Sequence, residues 1–451
     1  MPLTYRLLLA LAVLSLASCG GTDNPFAFPS GPQAEIQFMH ASPDAPDLEV
    51  LIDGTVAVPD LDFLQGSGEF LVSAGAHTIA VQASTPGGPM TLISPTNVTL
   101  AANTVYTAVV EGAVANIAAK ISSHPQSAIA ADATRVQFVH AAPSAPAIAV
   151  YVTAPGADLA ASAPLGTVAF HGSLGPTDLP AGDYEIRVTP ASAATPVLYD
   201  SGTVTLPAGA DLLIAATANT GPGAAPIVLA VSDAFGNDSV LYDVATPSTV
   251  RVVHDSPDAP PINVAATSGG TTTTLASTLA YPNVVPYQTI TSGAYALQIT
   301  PAGNPGAVLV EQNLNWYQGQ QYTVYAMGTL ANIGAIVTQD DRRRIATAAK
   351  LRIIDGAPSL ADVDVYLTAP GTGIAGAIPT LAGLPFTGDT GFQGFTAGAY
   401  DLTVTASGSA TALIGPVTVN LANDGVYTAV MRDAPGGGAP QGLILLDDLA
   451  P

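Results

Sequence analysis

Residues that usually carry chemistry are scarce in this chain. It has one cysteine, one tryptophan, six histidines and 11 basic residues in 451, and charged residues make up only 10% of it. A single cysteine excludes any intramolecular disulfide. The 34 acids leave a formal net charge of −23, a surface that repels phosphate backbones and excludes nucleic acid as a partner. So little charge beside 48% hydrophobic residues excludes an intrinsically disordered chain. No Gly-x-Ser-x-Gly elbow, His-Glu-x-x-His pair or matched pair of carboxylates occurs, so the expectation is a non-enzymatic protein without a cofactor. Gly371-Thr372-Gly373-Ile374-Ala375-Gly376 fits the dinucleotide fingerprint, but the chain then runs into Pro379 instead of a helix. It reads as a loop.

Glycine (44) and proline (38) are abundant, with many Val and Thr between them. That composition describes short strands joined by turns. The N-terminus is different. Arg6 precedes an apolar run from Leu7 to Ala17, which is too short to span a bilayer, and the run ends in Leu16-Ala17-Ser18-Cys19. This stretch resembles a bacterial lipobox, in which cleavage precedes a cysteine that then carries lipid. The resemblance implies a signal peptide at 1–18, a lipid on Cys19 and a Gly/Pro tether at 19–33. Later segments lack an apolar run long enough for a membrane helix.

One unit is written four times. Ile36-Gln37-Phe38-Met39-His40, Val136-Gln137-Phe138-Val139-His140, Val250-Arg251-Val252-Val253-His254 and Leu351-Arg352-Ile353-Ile354-Asp355 open the copies. Three residues after each final His or Asp stands a proline: Pro43, Pro143, Pro257 and Pro358. Alternation with period two makes each opening segment a half-buried strand. Phe38, Phe138, Val252 and Ile353 share one face, and Gln37, Gln137, Arg251 and Arg352 share the other. Later, Gly75-Ala76-His77, Gly182-Asp183-Tyr184, Gly293-Ala294-Tyr295 and Gly398-Ala399-Tyr400 mark a glycine turn entering another strand. About seven strands per unit of roughly 100 residues predict an all-β chain, a tandem array of four Ig-like β-sandwiches. Their bounds are 34–130, 133–245, 248–345 and 349–451. A β-propeller is the alternative, although its blades are about half this period. Each unit is large enough to close its own core. The Asp340-Asp341-Arg342-Arg343-Arg344 linker reads as solvated.

His40-Ala41-Ser42-Pro43-Asp44-Ala45-Pro46 and His254-Asp255-Ser256-Pro257-Asp258-Ala259-Pro260, with the later Ala-Gly-x-Tyr, resemble the bacterial domain-of-unknown-function family numbered 4397. The fourth copy departs, with Asp355 for His and Ala361 for the second proline. The resemblance implies an exported or cell-envelope protein and brings no activity with it.

The repeated His40, His140 and His254 could be metal ligands, but no second ligand recurs at fixed spacing. The favoured reading is structural: each braces its proline turn through backbone hydrogen bonds, and Asp355 accepts similar ones. His77 stands in the slot of Tyr184, Tyr295 and Tyr400 as a packing substitute. Asp44, Ser144, Asp258 and Ser359 read as turn caps; calcium at Asp44, Asp47 and Asp53, or at Asp362 and Asp364, is the minority alternative. These features together predict a lipid-anchored envelope protein displaying β-sandwich modules in a structural, adhesive or binding role. Its membrane contact is the N-terminal lipid, and its partner an envelope or extracellular protein or glycan. The alternative is a carbohydrate-binding protein using Tyr151 and Tyr366 on outward strand faces.

Overall fold

The computed structural model describes residues 31–450. The first unit shows the plan. Its strands are β1 (Gln33–Ala41), β2 (Leu48–Ile52), β3 (Thr55–Leu61), β4 (Phe70–Ser73), β5 (Gly75–Ala83), β6 (Met90–Leu100), β7 (Thr104–Glu111) and β8 (Ala118–Pro125). They form two four-stranded sheets in the orders β4-β1-β7-β8 and β3-β2-β5-β6. The opening strand β1 lies inside its sheet, antiparallel to β4 and parallel to β7. Between the sheets lie Ile36, Phe38, Leu48, Val50, Val81 and Ala108.

The same two-sheet plan recurs from Ala133–His140, from Ser248–Asp255 and from Ala349–Asp355, and in the second unit Asp238–Leu241 adds a fifth strand to one sheet. The chain is therefore all-β, with four sandwich-like units. Each sheet keeps two open edges, so no barrel or propeller forms. Eight or nine strands per unit replace the expected seven, because the chain between β2 and β5 contributes strands to both sheets. The segment 371–376 is a loop between two strands.

The units are not beads on a string. Position two of a half-buried opening strand lies on the face away from its own sandwich core, yet Gln37, Gln137, Arg251 and Arg352 are all buried. The outer face of each opening sheet packs on the outer face of a neighbour's. Met39, Ala41 and Val109 of the first unit meet Val139, Leu213, Ala215 and Ala230 of the second. Val253, Tyr325 and Met327 of the third meet Ile354, Val430 and Ile444 of the fourth. Each opening sheet thus has apolar residues on both faces, and the structural module is a pair of units.

Gln37 Nε2 donates to Thr107 Oγ1 (3.2 Å), whose hydroxyl donates to Gln137 Oε1 (2.9 Å), and Gln137 Nε2 donates back to Ser122 Oγ (2.6 Å). These bonds satisfy polar groups that the first interface takes out of water. The second interface uses charge. Arg251 of the third unit pairs with Asp448 of the fourth, and Arg352 of the fourth pairs with Asp340 of the third at 2.7 Å. Arg251 Nε also donates to Thr323 Oγ1 (3.0 Å), which donates to Asp340 (2.6 Å). Arg352 Nε does the same to Thr428 (3.3 Å), which donates to Asp448 (2.6 Å). The exchange is reciprocal, as at a two-fold interface, though both halves belong to one chain.

Expressed alone, residues 133–245 keep the core around Phe138, Ile148, Ile186 and Leu229 but expose Val139, Leu213 and Ala230. The fragment is expected to fold and to self-associate, whereas residues 31–245 remain monomeric. Sedimentation velocity with amide spectra distinguishes the two; a monomeric, well-dispersed 133–245 fragment contradicts the paired module.

Candidate functional site

The repeated turn is built the same way three times. His40 Nε2 lies 3.1 Å from the Pro46 carbonyl, and His40 Nδ1 accepts from Ser42 N at 3.2 Å. His140 holds Pro146 O at 2.9 Å and Ala142 N at 3.4 Å; His254 holds Pro260 O at 3.2 Å and Ser256 N at 3.3 Å. A neutral ring protonated on Nε2 meets both demands, donating at one nitrogen and accepting at the other. Burial lowers the pKa of all three, that of His40 to about 3. An aromatic edge closes each ring in: Phe63, Phe170 and Tyr281. Pro43, Pro143, Pro257 and Pro358 sit in the turns that follow.

Asp355 fills only half of this role. Its Oδ1 accepts from Ala357 N at 3.0 Å, while its buried Oδ2 has no hydrogen-bond partner. Burial raises its pKa to about 7, since a lone buried oxygen disfavours the charge.

The tyrosine slot is a hydrogen-bond position as well as a packing one. Tyr184, Tyr295 and Tyr400 donate to the carbonyls of Pro180, Thr291 and Thr396, four residues back, at 2.7 to 3.0 Å. His77 reproduces that bond to Ser73 O at 2.8 Å through Nε2 and holds Asp53 at 2.6 Å through Nδ1. Three of the five acids considered for calcium are occupied by protein donors. Asp44 accepts from Val114 N (2.8 Å), Asp53 from Thr78 N (2.8 Å) and Asp364 from Gly383 N and Gly408 N (both 2.8 Å). Asp44 and Asp258 cap distant short helical turns, at Val114 and at Leu330 (2.7 Å), and Asp44 Oδ1 also accepts from Ser42 Oγ in its own turn at 3.5 Å. Among the described residues no group of three or more His, Cys, Asp or Glu side chains is placed to hold a metal ion.

Two surface expectations are overturned. Tyr151 and Tyr366 are 6% and 7% exposed, and the sole tryptophan, Trp316, is 1% exposed. Tyr151 is covered by Leu159 and Ala194 of neighbouring loops, so these residues offer no aromatic platform for a sugar. Nor is the segment 340–344 a solvated linker. Arg342 stacks on Tyr287, 4.2 Å from the ring centre, and donates to Gln321 at 2.9 Å. Arg343 crosses to the first unit, donating to the Ala45 carbonyl at 2.6 Å beside Phe63, and Ala346 N donates to Asp44 O at 2.8 Å. Gln318 Nε2 of the third unit reaches the Asp243 carbonyl of the second at 2.6 Å. Every unit therefore touches the next, and the fourth unit's entry segment touches the first. Where they converge lies an open cavity of about 660 Å³, lined by residues of all four units with Arg342, Arg343 and Arg344 on its wall. Sequence reasoning missed it because its residues come from one repeated turn, three strands and several loops that only the assembly of the units brings together; the one signal was three adjacent arginines in a chain with 11 basic residues.

A model of the family described as "Domain of unknown function (DUF4397)" matches residues 34–151 and 248–366, more than half of the chain. The chain belongs to the DUF4397 family. Each DUF4397 match begins at the first member of a pair and runs on through the opening two strands of the second. No match was found among curated proteins. Among solved structures, the Bacillus anthracis TIE protein is 11% identical, with 85% of this chain and 65% of that one covered and a TM-score of 0.16. The chain thus spans just under two thirds of that protein. A "putative cell adhesion protein" from Bacteroides uniformis is 10% identical, with 47% and 99% covered and a TM-score of 0.18. Another so described, from Bacteroides ovatus, is 11% identical, with 47% and 97% covered and a TM-score of 0.18.

The histidine geometry predicts a pH-dependent cost. His140→Ala leaves the Pro146 carbonyl and Ala142 N–H without their partner, which costs about 1 to 3 kcal/mol at pH 7.5. Burial holds the His140 pKa below the ordinary histidine value of about 6.5, so the wild-type contribution is complete above that pH and declines as pH falls below it. Denaturant unfolding at pH 7.5 and 4.5 is expected to show the gap between variant and wild type narrowing in acid. A gap unchanged by pH contradicts a buried neutral ring.

Proposed function

We propose that this protein is a non-catalytic, lipid-anchored scaffold of the cell envelope, displaying β-sandwich modules for a structural, adhesive or binding role. The observation that carries this reading is where the recurring polar side chains go. The repeated histidines bond their own turns, the tyrosines bond carbonyls four residues back, and the arginines of the opening strands bond carboxylates across a unit boundary. Repetition in this chain specifies rigidity. The loops also differ between copies, and loops are the usual place for recognition on a rigid scaffold.

The anchoring half of the proposal rests on Leu16-Ala17-Ser18-Cys19, which lies outside the described residues. Processing there leaves an acylated Cys19 and a Gly/Pro tether leading into β1. The partner is an envelope or extracellular protein or glycan.

Cys19→Ser is expected to abolish labelling by a palmitate analogue and to move the protein from the membrane fraction to the soluble fraction. Membrane partitioning equal to wild type contradicts the anchoring. Binding of purified protein to envelope fractions tests the display role separately, since it does not depend on the lipid.

A further inference from the structure

The cavity where the four units meet has the opposite electrostatic sign to the rest of the molecule. The chain carries 34 acids and 11 bases, yet three arginines and one acid, Asp44, line this wall. That acid is engaged, accepting from Val114 N at 2.8 Å. The arginines come from a segment with no equivalent in the other linkers, which read Ala131-Asp132-Ala133 and Ala245-Thr246-Pro247. They also differ in what they do. Arg343 is spent on the Ala45 carbonyl and Asp62. Arg342 uses Nε and Nη1 on Asp448 O and Gln321, leaving Nη2 facing no protein acceptor among the described residues. Arg344 is exposed and has no hydrogen-bond or ion-pair partner among the described residues.

The remaining wall is hydroxyl-bearing and weakly apolar. Thr220, Thr249 and Thr289 line it beside Pro43, Pro222 and Leu449. Thr220 and Thr289 are exposed there, whereas the Thr249 hydroxyl is closed off from solvent. A volume of about 660 Å³ lies within the range of small-molecule sites, on the order of 300 to 1,000 Å³. Guanidinium forks match oxyanions such as carboxylate, and threonine hydroxyls suit a polyhydroxylated body.

We propose that this cavity is a binding site for an acidic sugar, with Arg344 and the free amino group of Arg342 holding its carboxylate and the Thr220 and Thr289 hydroxyls its ring hydroxyls. The assignment goes beyond the scaffold role, which requires no small ligand, and does not depend on lipidation. Since every unit contributes to the wall, the site exists only when the four units are assembled. A bound uronate crosses the junction and favours the assembled form by mass action.

Isothermal titration of the full chain with trigalacturonate, maltotriose and citrate at low salt tests the assignment. Trigalacturonate is expected to bind at one site per chain, at least about tenfold more tightly than the neutral maltotriose or the non-sugar citrate. Arg344→Gln, at an exposed side chain without protein contacts to lose, is expected to keep the wild-type melting temperature and to weaken trigalacturonate binding by about tenfold or more, the effect of one lost charge-assisted contact. Absence of trigalacturonate binding, or equal binding by Arg344→Gln, overturns the site. Citrate or maltotriose binding as tightly as trigalacturonate overturns the ligand class. Unaltered binding after Cys19→Ser is the expected control, and its loss would tie the ligand to the membrane instead of the cavity.

Discussion

Two guanidinium groups, 1% and 3% exposed at Arg352 and Arg251, are the constraint around which the second half of the molecule is arranged. A charge removed from water is tolerated only when a counter-charge and further hydrogen bonds receive it. Each arginine finds them in a carboxylate of the other unit and a threonine of its own. The bonds run both ways across the boundary, so sliding one unit against the other breaks both pairs at once. The apolar contact of Val253, Tyr325, Ile354 and Val430 lies beside the ion pairs, and the ion pairs set its register. The first half solves the same problem with neutral groups: Gln37, Thr107 and Gln137 occupy corresponding positions and need no counter-charge.

Pairing changes what a repeat means in this chain. The sandwich is the unit of sequence, and two sandwiches back to back are the unit of structure. The DUF4397 matches at 34–151 and 248–366 start at the first and third units, the leading members of the two pairs. The trailing members carry the departures, Leu213 where Thr107, Thr323 and Thr428 stand and Asp355 where the histidines stand. Asp355 shows the cost of such a departure, an orphaned buried oxygen in a turn that a histidine satisfies completely.

Much of the sandwich was legible from the residues. Period-two alternation located the opening strands, prolines and glycines marked the turns, and the histidine at a strand's end predicted its own backbone bonds. The pairing was not legible, because alternation reports only that every second residue is polar. It does not say whether that face meets water or another unit. Gln37 and Arg352 looked solvent-facing for that reason. A signal was present: Met39, Val139, Val253 and Ile354 share that face and are apolar in every copy. The Asp340–Arg344 linker was misread on the same ground, since a run of charge ordinarily marks a solvated segment. Tyr151 and Tyr366 were misplaced because loop cover over a sheet face has no periodic trace.

The central claim, that buried reciprocal ion pairs lock the third and fourth units together, is tested most directly by a double-mutant cycle. Arg352→Met and Asp340→Leu each strand a buried charge and are expected to destabilise by about 3 to 5 kcal/mol in denaturant unfolding. The double variant removes both charges and is expected to lose clearly less than the sum of the two, by at least about 2 kcal/mol. Additive losses would show that the two groups do not act on one another across the boundary, and the account of a bolted pair would then be wrong.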